Sequence, residues 1–414
     1  MTKFRSLLAV LACGVIVATA CGSDSNSSST TAAATATTAA STATTAAGSA
    51  TTAAATGTTP AASETTAAAG GAGSNAGVLA AQGVVDQYSK ADGSIGVTIP
   101  LTGKPPKKTF AWMECDVPTC ASYLTPGIKD ATAALGWDLK IIPMKSTDPG
   151  PAIQQAIDAG VDYISLTGVP VAAYKAQADA AKAKNIPILE CYATDAPSVE
   201  SNVLMQCGDE SFVKKTGPIM ADWAIADSKG NANILIVTIH DFPVLVSEEA
   251  AYKAELAKNC ADCKVDTLNV TLDDLIGGKV PAAVASKLQT DPSINYVFNT
   301  FGDLPGGLTA ALKSAGLDKQ VTVYGQDFSK FDLDEIAAGT MGAWSADPKG
   351  YAGWLMVDAA ARLSLGMTLD EEREAAALPT IIVNDAAFAQ EISDAGGDWF
   401  PPGSQDAFKK LWGV

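Results

Sequence analysis

Between residues 109 and 383, short apolar runs alternate with stretches of helical period. The run 109–114 (TFAWME) reads as a buried strand; after it come a polar corner holding Cys115 and Cys120 and an amphipathic helix reaching about residue 135. The pattern continues with a strand at 138–143, a helix at 152–159, a strand at 161–166, a helix at 172–184 and strands at 186–190 and 202–206. Alternation of this kind predicts parallel strands joined by crossover helices. Such sheets bind ligands beyond the carboxyl ends of their strands, where this chain places the polar Glu114, Asp116 and Thr167.

A helix at 211–226 carries the chain to a second set with the same rhythm: strands at 233–238, 264–268, 294–298 and 320–324, with helices at 246–258, 279–288 and 306–315 between them. The helix 351–365 returns to the first set, and 379–383 crosses back. The fold class this predicts is α/β, with two Rossmann-like parallel-sheet lobes joined by a multi-crossover hinge. The first lobe takes 109–210 and 346–379, and the second takes 211–345 and 380–414. A short helix from 78 and an extended, proline-rich segment form a lead-in to residue 108. A cleft between two such lobes can close on a small ligand.

The N-terminal region adds an address. Lys3 and Arg5, an apolar run from Leu7 to Val17 and the small residues 18–20 read as an export signal. Cys21 directly after them resembles a bacterial lipobox, which implies a lipidated N-terminus. Residues 22–77 are almost entirely Ser, Thr, Ala and Gly and lack the side chains for a core, so they read as a disordered tether that includes 70–77 (GGAGSNAG). Formal charge is −17, with three arginines, at 5, 362 and 373. That balance argues against nucleic acid and against anionic lipid held by charge.

With Cys13 in the signal and Cys21 at the lipid site, six cysteines remain, in sequence-local pairs: 115 with 120, 191 with 207, and 260 with 263. An exported context and an even count favour disulfides, local pairing being the best of fifteen connectivities. The pair at 260 and 263 ends a helix and precedes a strand, the wrong place for a redox thiol. A single histidine leaves no zinc set.

The segments 109–130 (TFAWMECDVPTCASYLTPGIKD), 163–174 (YISLTGVPVAAY), 183–188 (AKNIPI) and 321–327 (VTVYGQD) resemble the ribose-type sugar-binding proteins of ABC transporters, the type I periplasmic binding proteins. The resemblance spans about residues 105–385 and includes the order of elements. It implies reversible capture of a small sugar or polyol in the cleft and delivery to a permease by a monomer needing no cofactor or metal. Matched to the family, the contact positions are Glu114, Asp116 and Tyr123 after the first strand, Thr167 at the third, Glu190 and Tyr192 at the fourth, and Asp209 before the crossover. In the second lobe they are His240, Asp241 and Phe242, then Asn299 and Asp303, then Asp327. Sugar recognition uses such carboxylates and amides for hydroxyls and aromatic rings for apolar ring faces.

The chain departs from the family in two places. Residues 117–120 (VPTC) replace an Asn and paired aromatics, and Ser247 and Glu248 stand near the position of a common Arg. Without a guanidinium the cleft suits a neutral polyol or a cation better than an anion. Two other functions fit parts of the sequence. The same fold could hand its closed form to a signalling receptor, or import an amine or amino acid. Paired carboxylates could hydrolyse a glycoside, but the chain has no Gly-x-Ser-x-Gly elbow, His-Glu-x-x-His or phosphate loop. The sequence therefore reads as a binding protein and not an enzyme.

Overall fold

The computed structural model describes residues 70–90, 94–375 and 378–414. The expected signal segment, Cys21 and the tether up to residue 69 lie outside these residues. Helix α1 (Gly70–Tyr88) precedes strand β1 (Thr109–Glu114), a π-helical turn at Cys120–Leu124 and α2 (Thr125–Leu135). Then follow β2 (Asp138–Pro143), α3 (Gly150–Asp158), β3 (Tyr163–Thr167), α4 (Lys175–Ala183), β4 (Ile188–Cys191), β5 (Val203–Cys207) and α5 (Glu210–Asp227). The second half runs through β6 (Asn233–Thr238), α6 (Pro243–Asn259), β7 (Lys264–Asn269), α7 (Leu272–Ile276), α8 (Val280–Thr290), β8 (Tyr296–Asn299), α9 (Leu308–Ala315), β9 (Thr322–Gln326), α10 (Lys330–Ala337) and β10 (Trp344–Ser345). The chain closes with α11 (Lys349–Ser364), α12 (Asp370–Glu374), β11 (Ile382–Val383), α13 (Ala386–Asp394) and α14 (Ser404–Trp412).

Two sheets result. The first has the order β2-β1-β3-β4-β5, and the second β11-β10-β9-β8-β6-β7. Every pairing is parallel except that of β10 with β11. Strands covered by helices on both faces need apolar side chains throughout, and β3 and β8 are buried at every position. Strand order reverses between β1 and β3 in one sheet and between β6 and β8 in the other, so the crevices for a ligand open beyond those four strand ends.

The helices correct two expectations. α1 starts at Gly70 and takes in residues 70–77, which were read as tether, because it packs along α5 and α6 with Ala81 and Val85 buried. Gly77 permits the approach: a Cβ there would stand 2.0 Å from the Asn259 carbonyl oxygen. The expectation that 380–414 belongs wholly to the second lobe also fails. α13 packs on α10, but α14 lies on α11, with Trp412 stacked on Trp354 at 5.3 Å and donating through Nε1 to Asp358. α11 in turn packs on α2, where Gly127 and Gly353 bring the two backbones close. The last helix thus braces the segment that carries the chain between lobes.

The disulfides join Cys115 to Cys120, Cys191 to Cys207 and Cys260 to Cys263. The first fixes the corner after β1, and the second ties the ends of β4 and β5. Among the described residues no helix is long and apolar enough to cross a membrane.

Candidate functional site: the cleft between the lobes

The strand ends of both sheets converge on a cavity of about 90 Å³. Direct contacts hold the lobes together around it. The backbone N–H of Lys330 donates to Tyr123 Oη (2.7 Å), and that of Thr119 donates to Asp303 Oδ2 (3.2 Å). Phe242 reaches over to the turn after β3, where a Cβ on Gly168 would stand 3.7 Å from its ring.

Thr167, Tyr192, Phe242 and Asp327 line the cavity. Tyr192 and Asp327 each follow the last residue of a strand and hold left-handed backbones, with φ of 62° and 66°. Side chains other than Gly adopt this conformation at a cost that clusters at functional sites. The reversal takes both side chains out of the strand alternation and aims them into the crevice.

The Tyr192 hydroxyl donates to Asp347 Oδ1 (2.7 Å), and the buried Asp327 carboxylate pairs with the equally buried Lys349 ammonium. Lys349 also lies 5.3 Å over the Tyr123 ring. Burial sets the charges in this cluster. It pushes the Asp347 carboxyl up to about 7 against the hydrogen bond from Tyr192, which lowers it. It pushes Asp398 to about 7 as well, opposed by Lys349 and by the Gly350 backbone N–H, which donates to Asp398 at 2.8 Å. The Lys349 ammonium is drawn down to about 8 by burial, with Asp398 and Asp303 acting the other way. Behind this cluster sits Glu248, fully buried and raised well above the usual range by burial and by Asp347. With the Gln326 amide turned to donate, its nitrogen lies 2.8 Å from Glu248 Oε2 and 3.1 Å from the Thr300 carbonyl.

The other expected contact positions serve the scaffold. Glu114 accepts from the Thr125 hydroxyl (2.5 Å), which in turn accepts from Trp112 Nε1. Asp116, in solvent, holds the backbone and hydroxyl of Ser146. Glu190 lies inside the first lobe, where Tyr174 and Gln206 donate to it and burial raises it to about 8. Asp209 caps α5 through the Ser211 N–H (2.8 Å). His240 pairs with Glu249 at 2.7 Å, and Asp241 accepts from the Leu272 N–H at the start of α7. Asn299, the last residue of β8, is buried within the second sheet and donates to the Tyr324 carbonyl. Tyr123 and Asp303 make the lobe-to-lobe contacts described above instead of lining the cavity.

Sequence reasoning missed Asp347 and Lys349, which flank Pro348 where α11 begins. Two charged residues next to the buried helix 351–361 were the available signal. It also missed the apolar share of the lining, which includes Val117, Leu124, Phe212, Val244, Leu245 and Phe301. Trp344 packs beneath Gly325 as core and does not reach the cavity.

Residues 119–367 match a family described as a periplasmic binding protein domain. The chain belongs to that family. Its two-lobe α/β architecture is that of the type I periplasmic binding proteins. A carbohydrate transporter from Acidothermus cellulolyticus, solved in complex with myo-inositol, has a TM-score of 0.59 and 23% identity, covering 70% of this chain and 98% of its own. An ABC transporter solute binding protein from Mycobacterium smegmatis with bound glycerol has a TM-score of 0.59 and 18% identity, covering 70% of this chain and 97% of its own. The 5-methylthioribose transporter solute binding protein from Thermotoga lettingae, solved with 5-methylthioribose, has a TM-score of 0.58 and 16% identity, covering 76% of this chain and all of its own, 100%. At these identities the likeness is one of fold. A search of curated proteins finds no match.

Proposed function

We propose that this periplasmic binding protein is the substrate-binding component of an ABC importer. It captures a small, neutral sugar or polyol between its lobes and presents the closed form to a permease, acting as a monomer held to the outer face of the membrane by lipid on Cys21. The observation that carries this reading is the pair of left-handed residues, Tyr192 and Asp327, aimed into one crevice from the strand ends of opposite lobes. The sugars and polyols bound by proteins of the same fold, myo-inositol and glycerol among them, point to the same class of cargo. No step of chemistry is needed, because reversible capture requires only that closure favour the loaded state.

In this reading Thr167 and Asp327 bond cargo hydroxyls from either side, and the Phe242 ring covers an apolar face. The test is thermal unfolding of the full-length protein against a panel of sugars, polyols, amino acids and amines. A binder at a hundred times its dissociation constant stabilises by about 2.7 kcal/mol. A shift with a sugar or polyol supports the reading. A shift with amines alone overturns the sugar and keeps the receptor.

A further inference from the structure

The polar atoms of the cleft are largely committed to one another. Tyr192 donates to Asp347, Lys349 pairs with Asp327, and Ser146 bonds to Asp116. Carbon and sulfur face the remaining space. The first lobe contributes Val117, Leu124 and the Cys115–Cys120 disulfide, and the second contributes Phe242, Val244 and Phe301. These groups come from the corner after β1 and from the turns after β6 and β8, on opposite sides of the crevice, so closing the lobes brings one apolar wall toward another. A hydroxyl buried against such walls loses its water and finds no partner. A cargo with hydroxyls on every edge is a poor fit to that half of the cleft.

We propose that the cargo carries a short alkyl or thioalkyl group, lodged between Val117 and Leu124 on one side and Phe242 and Phe301 on the other, with its hydroxyl-bearing end toward Thr167 and Asp327. This deepens the polyol reading above and rests on it. Each methylene buried there strengthens binding by about fourfold.

Calorimetric titration of the full-length protein with matched pairs tests the proposal: D-ribose against 5-methylthioribose, and myo-inositol against its mono-O-methyl ether, with butan-1-ol as a polyol-free probe. The expected result is at least tenfold tighter binding of the substituted member in one pair, and a Val117→Ser variant that shrinks that ratio below threefold. Parent compounds that bind as tightly as their substituted partners in every pair overturn the apolar group and leave the polyol reading standing. Binding of butan-1-ol alone keeps the apolar walls and removes the polyol. Binding of no probe overturns both.

Discussion

Lys349, the first residue of α11, forms a buried ion pair with Asp327, the residue just beyond β9. α11 packs on α2 of the first lobe, while β9 lies within the second sheet. The pair therefore ties the crossover to the strand end that faces the cleft, and both charges are removed from water to do it.

Removing one partner of a buried pair leaves an uncompensated charge. Asp327→Ala should lower the free energy of unfolding by about 3–5 kcal/mol, measured by urea titration. Adding Lys349→Met removes the orphaned ammonium and should recover part of the loss. A single variant as stable as the parent would mean that Lys349 finds another anion, for which Asp398 and Asp303 are the candidates.

Tyr123→Phe removes the oxygen that accepts from the Lys330 N–H across the lobes. The closed form should lose about 0.5–1.5 kcal/mol, the worth of one such bond. Small-angle scattering should then show a larger mean radius of gyration. An unchanged scattering curve would show that this contact does not hold the lobes.

Stability should fall as pH rises from 5 to 7. Burial raises Asp347 and Asp398 to about 7, and Glu190 and Asp332 to about 8, all far above their unfolded values. In that window the folded chain binds more protons than the unfolded one, so each added pH unit favours unfolding. The contribution is complete below the unfolded carboxylate range and is lost as pH passes the folded values. Carboxylates lowered by ion pairs, such as Asp162 and Glu210, are already ionised in both states there and add nothing. Melting temperatures across pH 5 to 7 check this, and the slope should be shallower in Asp347→Asn.

Gly325→Ala should destabilise by about 1–3 kcal/mol through overpacking. A Cβ there would stand 2.4 Å from the Trp344 ring and 2.6 Å from the Asn299 carbonyl oxygen. Because Gly325 lies in β9 just before Gln326 and the Asp327 that follows the strand, the same change should weaken cargo binding. Full stability in this variant would mean that β10 can move away from β9.

The alternation of strand and helix, both lobes and the three local disulfides were legible because each rests on a pattern within a short window of sequence. The site was legible only where a strand ended in a turn. Glu190 and Tyr192 lie two apart and would share a face in a continuing strand, but β4 stops at Cys191 and the left-handed Tyr192 sends its side chain into the crevice while Glu190 stays inside the lobe. Asp209, Asp116 and Asp241 were polar at the right places and were taken up by a cap, a loop and a helix start, the commonest local uses of a short carboxylate. Asp347 precedes α11 and Lys349 opens it, and their place in the cleft depends on how the lobes close. The packing of 404–412 on α11 was not legible, because its apolar stripe, Phe408 and Trp412, shows that it packs but not on which helix.

The proposed function requires that cargo be held in the cleft at Asp327 and Tyr192. The most direct measurement is calorimetric titration of the tightest ligand from the panel into the full-length protein and into its Asp327→Asn and Phe242→Ala variants. The account predicts one site per chain and at least tenfold weaker binding in Asp327→Asn, the loss of one hydrogen bond to a charged group at about 1.5–3 kcal/mol, with a further loss in Phe242→Ala. Unchanged affinity in both variants, with both folded, would place the cargo elsewhere and contradict it.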